Sequence, residues 1–426
     1  MDWLWLGINK QKENIMQKIE LLAPAGDRDK LETAFYYGAD ACYFAGKKWG
    51  LRAFSDNFTN DELAEYVEYA HKLGKKAYIT VNIQAHNEDF VGLDEYLVHL
   101  QNIGADALIV SDAGVMSLAK QVVPNMPIHL STQACASNKY AAKFWADAGA
   151  SRIILARELS IKEIKEIREF LPKSVELEAF VHGAMCISYS GRCLLSNYLA
   201  DRDSNRGQCV QACRWEYYVS EKRRTDNGEG ELYQIQQDER STYILNSKDL
   251  CMIDHLDKLI DAGVTSFKIE GRMKSNYYVA TVVNAYRHAL DSYINNPDEY
   301  FANKDRMKEL EKSSHRMFST GFCLGDYDRE HLATSMPVAS SDFVAEVLED
   351  TRPDGYTLIE QRNRFRIGET LEILSPGENW NKELKVTKMM NEDGEIIEEA
   401  NKVQQRILID TAPYKLTKRD ILRRNK

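Results

Sequence analysis

The chain repeats one short phrase, in which a glycine is followed by a run of mostly apolar residues. The phrase occurs at residues 38–44, 104–110, 149–155 and 263–269, each time after an amphipathic stretch with helical spacing. Glycine supplies the left-handed residue that ends a helix, and a short apolar run is typical of a strand buried on both faces. The phrase therefore predicts a helix-to-strand unit that recurs along the chain.

Four further apolar runs fill the gaps between these units. They lie at residues 19–22, 77–81, 127–130 and 175–181, and helical stretches such as 60–73 separate them. Eight strands that alternate with helices favour a closed parallel (β/α)8 barrel, an α/β fold of the TIM-barrel kind, over an open doubly wound sheet. We therefore expect a barrel with its active-site face at the carboxyl ends of the strands.

The predicted barrel spans residues 19–325, and other segments flank it. Residues 1–18 are expected to be an N-terminal extension. From about residue 336 the pattern changes to short strands parted by Pro-Asp-Gly, Pro-Gly-Glu and Glu-Asp-Gly turns. This pattern predicts a small, barrel-like, all-β domain over residues 336–426. A length of 426 residues accommodates a barrel and one smaller module.

Composition and charge limit the classes of protein to consider. The net charge of −10 argues against a generic nucleic-acid coat protein, although local basic patches can still bind RNA. The chain has no apolar run of about 18 residues, and its start does not resemble a signal peptide. We therefore expect a cytoplasmic protein with no membrane contact, in which thiols stay reduced. The sequence does not indicate an oligomeric state.

Four of the eight cysteines lie close together between predicted strands seven and eight. They are Cys186, Cys193, Cys209 and Cys213, within an insertion at about residues 183–242. Because loops after barrel strands form the active-site face, this insertion is predicted to lie at the barrel mouth. In a reducing compartment, clustered cysteines are better interpreted as metal ligands than as disulfides.

The spacing of these cysteines favours iron and sulfur over zinc. Structural zinc sites typically use Cys-x2-Cys pairs, and the chain has no such pair. The three-residue gap between Cys209 and Cys213 places both thiolates on one face of a helical turn, while the wider gaps let a loop wrap the other corners of a cluster. A zinc site, and cysteines that are merely buried, are the alternatives.

Polar residues at the predicted strand ends would point into one funnel. They are Asn82, Asp112, Gln133, Arg157, Glu158, Glu178, His182, Glu270 and Arg272. Among them, Glu158, Glu178, His182 and Glu270 are candidate catalytic acids or bases. For each residue the alternative is a salt bridge or a cap that holds a loop.

Basic and aromatic residues are candidates for substrate binding. Arg272 and Lys274 suit a small dicarboxylate, because carboxylates pair with guanidinium and ammonium groups. Arg192, Arg214 and Trp215 flank the cysteines, where arginines would bind phosphates and an aromatic ring would stack on an unpaired base. A solvated loop is the alternative. A basic C-terminus could extend the RNA contact: Lys415, Lys418, Arg419, Arg423, Arg424 and Lys426.

Several motifs resemble the collagenase-like peptidase family U32. The matching stretches are residues 20–26, 178–196, 246–250 and 268–274, and with the β domain the similarity extends over nearly the whole chain. Lys248 lies in one of these motifs and is a further substrate-binding candidate.

Residues 205–209 and 212–217 are most similar to one branch of that family, which hydroxylates the wobble uridine of tRNA to 5-hydroxyuridine. This resemblance implies a four-iron, four-sulfur cluster on the four matching cysteines. It also implies prephenate as a required co-substrate or ligand, and the anticodon loop of tRNA as partner. Related branches hydroxylate a ribosomal RNA cytidine or act in ubiquinone synthesis, which implies another RNA or a small aromatic molecule as alternative substrates.

A peptidase is the main alternative function. The chain has no His-Glu-x-x-His or Gly-x-Ser-x-Gly motif, and no cysteine with an evident histidine and acid partner. A cluster on the four cysteines would also occupy the most plausible nucleophiles. A barrel that only carries RNA to another enzyme is the remaining alternative.

Overall fold

The computed structural model of the protein describes residues 19–51, 57–215, 247–303, 305–325 and 337–426. The predicted extension at residues 1–18 and residues 216–242 of the predicted insertion lie outside the described residues. The chain divides into two compact units. The described parts of the first unit are 19–27, 41–51, 57–215, 247–272 and 316–325, and residue 337 also belongs to it. Those of the second are 28–40, 273–303, 305–315 and 338–426.

The first unit is built on a closed barrel of parallel strands. Its strands are β1 (Glu20–Pro24), β2 (Ala41–Phe44), β3 (Lys76–Val81), β4 (Ala107–Val110), β5 (Ile128–Leu130), β6 (Arg152–Ile154), β7 (Glu176–Ala184), β8 (Asp249–Cys251), β9 (Ser266–Ile269) and β10 (Phe318–Ser319). Strands β1 to β7 pair in sequence order, and β9 pairs in parallel with both β7 and β1, which closes the barrel at eight strands. The predicted (β/α)8 barrel is confirmed.

Two short strands extend this sheet at the barrel mouth. Strand β8 runs antiparallel to the end of β7, with His182 opposite Cys251. Strand β10 then pairs in parallel with β8. Because β8 follows the cysteine-rich region in the chain, this pairing fixes the return of the insertion to the end of β7.

Helices follow the barrel strands along the chain, as the glycine phrase predicts. They are α1 (Arg28–Tyr36), α2 (Asn60–Lys72), α3 (Leu93–Asn102), α4 (Ala113–Val122), α5 (Lys139–Asp147), α6 (Ile161–Phe170), α7 (Leu195–Ala200), α8 (Leu256–Asp261), α9 (Asn276–Asn295), α10 (Pro297–Ala302) and α11 (Arg306–Leu310). Thr59 and Glu62 form a capping box that starts α2, and Gly104 has the positive φ of +82° that ends α3. Local capping thus sets where these helices begin and end.

The barrel interior contains paired charges. The Arg152 guanidinium lies 2.6 Å from a Glu20 carboxylate oxygen and 3.1 Å from one of Glu178. The Lys268 ammonium lies 2.7 Å from the other oxygen of Glu178, and the Tyr78 hydroxyl donates to Glu20 at 2.6 Å. Burial alone would raise the pKa of Glu20, but the charge of Arg152 and the hydrogen bonds from Arg152 and Tyr78 lower it. Glu20 is therefore kept ionised beside Arg152, and Glu178 is paired with Arg152 and Lys268.

The second unit contains the predicted all-β domain, which is confirmed. Its strands are β11 (Ser341–Val347), β12 (Tyr356–Gln361), β13 (Phe365–Arg366), β14 (Thr370–Leu374), β15 (Glu383–Lys385), β16 (Met389–Met390), β17 (Glu399–Ala400), β18 (Arg406–Asp410) and β19 (Ile421–Asn425). Seven of them form an antiparallel sheet in the order β15-β14-β19-β11-β12-β18-β16, and β13 pairs with β17. Alternate residues such as Ile359, Ile373 and Ile407 form its core.

The basic C-terminus is largely engaged within this second unit. Arg423 is fully buried and lies 2.8 Å from Glu309 and 2.6 Å from Glu372. Arg419, Arg424 and Lys426 likewise pair with carboxylates of the same unit. These ion pairs stabilise the unit, whereas Lys415 and Lys418 are exposed. The RNA contact of this segment stays a prediction. Among the described residues, no helix combines the length and apolar character needed to cross a bilayer.

The paired charges inside the barrel predict a large stability difference between two substitutions. Arg152→Met leaves Glu20 without its main cationic partner and Glu178 with Lys268 alone, and should lower the free energy of unfolding by about 3–5 kcal/mol. Lys72→Ala removes an exposed helical ion pair with Glu68 and should change it far less. Urea unfolding of both variants, followed by circular dichroism, makes the comparison. Equal decreases in the free energy of unfolding would show that the buried ion pairs contribute no more to stability than an exposed one.

Candidate functional site

A pocket opens at the carboxyl ends of the barrel strands. Its lining residues are Tyr43, Leu51, Thr80, Asn82, Ile109, Ser131, Thr132, Gln133, Ile154, Phe180, Lys268, Glu270 and Arg272. The space between them, including its opening to solvent, is about 400 Å³. This end of a (β/α)8 barrel is where such enzymes bind their substrates.

One part of the pocket joins a cation to aromatic rings. The Lys268 ammonium lies 4.3 Å from the ring centre of Tyr43 and 5.4 Å from that of Phe180. Thr80 is 2% exposed, and its hydroxyl has no hydrogen-bond partner in the described part of the chain. A buried hydroxyl without a partner is costly, so a ligand or water at this position would be stabilised by Thr80.

Glu270 and Arg272 follow β9 and line the same pocket. The backbone N–H of Glu270 donates to the carbonyl of His182 at 2.9 Å, which continues the pairing of β9 with β7. The buried Arg272 guanidinium donates to the side-chain oxygen of Asn57. Sheet pairing and this hydrogen bond therefore hold a carboxylate and a guanidinium at the pocket wall.

Residues 185–215, called the cysteine segment below, are attached to the rim of this pocket. The Ser190 N–H donates to a carboxylate oxygen of Glu158 at 3.0 Å, and the Thr132 hydroxyl donates to that of Ser190 at 3.4 Å. Gly191 has a φ of +71°, and a Cβ at this position would lie 2.3 Å from the carbonyl oxygen of Gln133. Only glycine allows this approach to the loop after β5.

The other end of the cysteine segment is attached to the loop after β3. The Gln84 N–H donates to the carbonyl of Asn205 at 3.1 Å, and the Arg206 guanidinium forms a two-pronged ion pair with Asp89. The hydrogen bond from Arg206 lowers the pKa of Asp89 below its ordinary value. Asn205 also donates to the carbonyl of Cys193 at 3.1 Å. The segment is thus held at two sides of the barrel mouth.

The four clustered cysteines lie in one segment of the first unit. Burial raises the pKa of Cys213, the charge of Arg214 opposes this, and charges on Cys186, Cys209 and Cys193 raise it further. The other three thiols therefore lie within electrostatic reach of Cys213.

Hydrogen-bond donors point at two of these sulfurs. The Arg157 guanidinium donates to the sulfur of Cys186 at 3.4 Å and to the carbonyl of Ala184 at 2.9 Å. The Gln211 N–H lies 3.4 Å from the sulfur of Cys209. Burial would lower the pKa of Arg157, but negative charge on Cys186, Glu270 and Glu158 raises it, so this cation is held beside the thiols.

This arrangement can be tested against the two kinds of metal centre. Within the described ranges, no three Cys, His, Asp or Glu side chains are placed to hold a single metal ion. Zinc needs its sulfur ligands at about 2.3 Å from one centre, whereas the irons of a cluster lie at several corners, so its thiolates stand further apart. The N–H groups that approach the sulfurs of Cys186 and Cys209 are of the kind that support thiolate ligands of an iron–sulfur cluster.

Three of the four candidate acids and bases do not line the pocket. Glu178 is 0% exposed and pairs with Lys268 and Arg152 within the barrel. Glu158 accepts the hydrogen bond from Ser190. His182 is buried, with its ring 5.4 Å from that of Phe318. Glu270 is the candidate that lies at the pocket wall.

The predicted substrate-binding residues occupy different places. Arg272 lines the pocket, whereas the ammonium of Lys274 donates to the carbonyl of Ser314 at 3.1 Å within the second unit. Lys248 is buried next to β8. The residues that flank the cysteines also differ: Arg192 hydrogen-bonds the thiol of Cys135, Arg214 donates to Gln211 at 2.6 Å, and Trp215 is 42% exposed.

Sequence reasoning missed Thr80, Lys268 and Gly191 as parts of this site. Lys268 carried a signal, because a lysine between Phe267 and Ile269 interrupts an otherwise apolar strand. Thr80 and Gly191 gave none, since their roles depend on neighbours that are far away in the sequence.

The fold and the site together define a class of protein, a (β/α)8 barrel with a thiol-rich segment fastened to its mouth and a C-terminal all-β module. Residues 26–333 match the model of peptidase family U32, and residues 339–423 match that of the peptidase family U32 C-terminal domain. The chain therefore belongs to peptidase family U32, and the resemblance of its motifs to this family is confirmed.

Three relatives illustrate this membership. The chain is 42% identical to tRNA hydroxylation protein P1 of Bacillus subtilis (strain 168) over 367 residues, which cover 86% of this chain and 85% of that one. It is 38% identical to tRNA hydroxylation protein P of Escherichia coli (strain K12) over 419 residues, 89% of this chain and 91% of that one. It is also 38% identical to the 23S rRNA 5-hydroxycytidine C2501 synthase of Escherichia coli (strain K12) over 277 residues, 65% of this chain and 40% of that one.

The contact at Gly191 predicts a local effect of substitution. Gly191→Ala should displace the cysteine segment, because its methyl group would overlap the carbonyl of Gln133. Gly74→Ala is the matched control, since Gly74 has a similar φ of +68° but no atom within 4 Å of an added Cβ. Hydrogen exchange read by mass spectrometry should rise across the cysteine segment in the first variant and only near residue 74 in the second. Unchanged exchange in Gly191→Ala would contradict the docking.

Proposed function

We propose that this protein hydroxylates RNA, and that its substrate is the wobble uridine of tRNA, which it converts to 5-hydroxyuridine. Relatives named as tRNA hydroxylation proteins and as a ribosomal RNA 5-hydroxycytidine synthase support RNA hydroxylation as the general activity. The observation that carries the proposal is the attachment of a segment with four cysteines to the rim of a pocket lined by charged, polar and aromatic side chains. This geometry can bring a redox group and a bound substrate together.

In this proposal Cys186, Cys193, Cys209 and Cys213 hold a four-iron, four-sulfur cluster. When bound, such a cluster supplies electron transfer beside the pocket. The Arg157 guanidinium and the Gln211 N–H would donate to the sulfurs of Cys186 and Cys209 in the bound state.

The pocket would bind the small dicarboxylate, for which prephenate is the proposed identity. Arg272 supplies a guanidinium that suits a carboxylate, and Asn82 and Thr80 supply neutral polar groups. Tyr43 and Phe180 supply apolar surface for a six-membered carbon ring. A pocket with one cationic wall and one aromatic wall fits a ligand that is part ring and part carboxylate.

Glu270 is proposed as the general base of the site. Replacement of the hydrogen at carbon five of uridine by a hydroxyl group is a two-electron oxidation, so it needs an oxidant from outside this chain as well as a group that accepts the released proton. Glu270 lines the pocket, whereas Glu158 and Glu178 do not. We assign Glu158 and Glu178 to positioning, because each holds a residue that touches or forms the pocket wall.

The peptidase alternative receives less support from the same residues. Among the described residues that line the pocket, there is no cysteine and no histidine. A cysteine peptidase would need its thiol and its imidazole at the wall. The lining therefore gives no support to a cysteine peptidase.

The cluster is tested by substitution of individual cysteines. Cys193→Ala should lose most of the iron and acid-labile sulfide, because a cluster corner would lack its ligand. Cys323→Ala is the control, because Cys323 is not one of the four proposed ligands. Burial raises the pKa of Cys323 to about 11, so that it stays a neutral thiol. Iron and sulfide are assayed after anaerobic purification. Zinc in place of iron in the unmodified protein would refute the cluster.

The dicarboxylate is tested by a pair of cationic residues. Arg272→Met should weaken prephenate binding about 10- to 150-fold, the range expected when hydrogen bonds to a charged group are lost. Lys274→Met should bind prephenate as the unmodified protein does, because Lys274 donates to Ser314 instead. Isothermal titration calorimetry measures both affinities. Equal affinities in the two variants would place the ligand elsewhere.

The hydroxylation itself is tested on cellular tRNA. Deletion of this gene, together with any gene of the same activity, should remove nucleosides derived from 5-hydroxyuridine, as read by mass spectrometry of digested tRNA. The unmodified gene should restore them and the Cys193→Ala gene should not. Unchanged nucleosides after deletion would rule out the proposed function.

A further inference from the structure

Exposed apolar side chains are concentrated in the cysteine segment. Tyr189 is 59% exposed and Tyr198 is 84% exposed, and three other large apolar side chains of the segment are also exposed. These three are Leu194, Leu199 and Trp215. Exposed apolar surface that is gathered in one short segment is typical of an interaction site.

The two tyrosines differ from other exposed aromatic residues of the first unit. Tyr140 is also exposed, but its ring packs against Phe170 at 5.1 Å between ring centres, and Lys139 lies 5.7 Å from it. Within the described residues, no such ring contact is made by Tyr189 or Tyr198. As far as the described residues go, their flat faces are therefore open to a partner.

The charge of the segment favours a nucleic acid as that partner. Residues 185–215 contain four arginines and two aspartates, and Arg206 is paired with Asp89 outside the segment. The other three arginines lie in the same segment as the exposed aromatic faces, a combination suited to a strand of phosphates and unpaired bases.

Both tyrosines are also fixed relative to the pocket and the thiols. Tyr189 precedes Ser190, which contacts Glu158 and the pocket residue Thr132. Tyr198 lies in α7, which packs against residues 212–214, the helical turn that contains Cys213. In the same helix, Ser196 accepts a hydrogen bond from the Val210 N–H at 3.2 Å. The aromatic faces therefore belong to the same structural element as the proposed cluster ligands.

We propose that Tyr189 and Tyr198 stack on unpaired bases of the RNA loop whose target base enters the pocket. The inference rests on the proposed function. An enzyme that acts on one base must draw it out of the stack, and the bases beside it then lose a neighbour. Aromatic side chains at the rim replace that neighbour and hold the loop in place.

Binding of a synthetic anticodon stem–loop with a wobble uridine, measured by fluorescence anisotropy, tests this role. Tyr189→Ala and Tyr198→Ala should each weaken binding about 5- to 150-fold, the range for loss of one stacked base. Tyr198→Trp should bind at least as well as the unmodified protein. Tyr140→Ala is the matched control and should bind normally. The salt dependence should stay unchanged, because no charge is removed.

The outcomes separate this inference from the proposed function. If the unmodified protein binds and modifies RNA while both alanine variants bind as Tyr140→Ala does, the stacking role is wrong and the function stands. If the unmodified protein neither binds the stem–loop nor alters tRNA in cells, the function itself fails. If either alanine variant instead loses a protein partner and keeps RNA binding, the surface serves protein recognition and the inference is overturned. Circular dichroism confirms that each variant is folded.

Discussion

The contact between Gly191 and the carbonyl of Gln133 is the constraint on which the site depends. It lets the backbone of the cysteine segment come close enough to the loop after β5 for Ser190 to reach Glu158. Without this approach the segment would keep its attachments through Arg157, Asn205 and Arg206, but the turn between Cys186 and Cys193 would lose its contact with the pocket rim. With it, Cys186 and Cys193 flank a turn that touches the pocket rim. The functional interpretation follows from this closeness more than from the cysteines alone.

The ion pairs inside the barrel hold one wall of the pocket in place. Glu178 pairs with Lys268, and Lys268 forms part of the pocket wall between two aromatic rings. Arg152 in turn joins Glu178 to Glu20. Because each buried ion has a partner of opposite charge, the interior is rigid without a fully apolar core at this level. A rigid wall is a requirement for any site that must orient a small ligand.

The barrel could be predicted because its signals are local. A glycine that ends a helix and an apolar run that forms a strand are both readable within seven residues, as at residues 104–110. The clustering of the four cysteines is also local. By contrast, Glu178 was predicted as a candidate catalytic residue from its place at a strand end. Its pairing within the barrel was not predictable, because its partners Arg152 and Lys268 are 26 and 90 residues away in the sequence. The burial of Arg423 was likewise not predictable from the basic C-terminal sequence, because the carboxylates that pair with it lie 51 and 114 residues earlier.

The central claim is that one docked segment places a cluster beside a carboxylate-binding pocket. Pulsed electron–nuclear double resonance of the reduced protein with prephenate labelled by carbon-13 in its carboxylates tests it most directly. We expect a resolved coupling between the electron spin of the cluster and the labelled carbon, which disappears in Arg272→Met. A cluster signal without any coupling, in protein saturated with the labelled ligand, would contradict the claim.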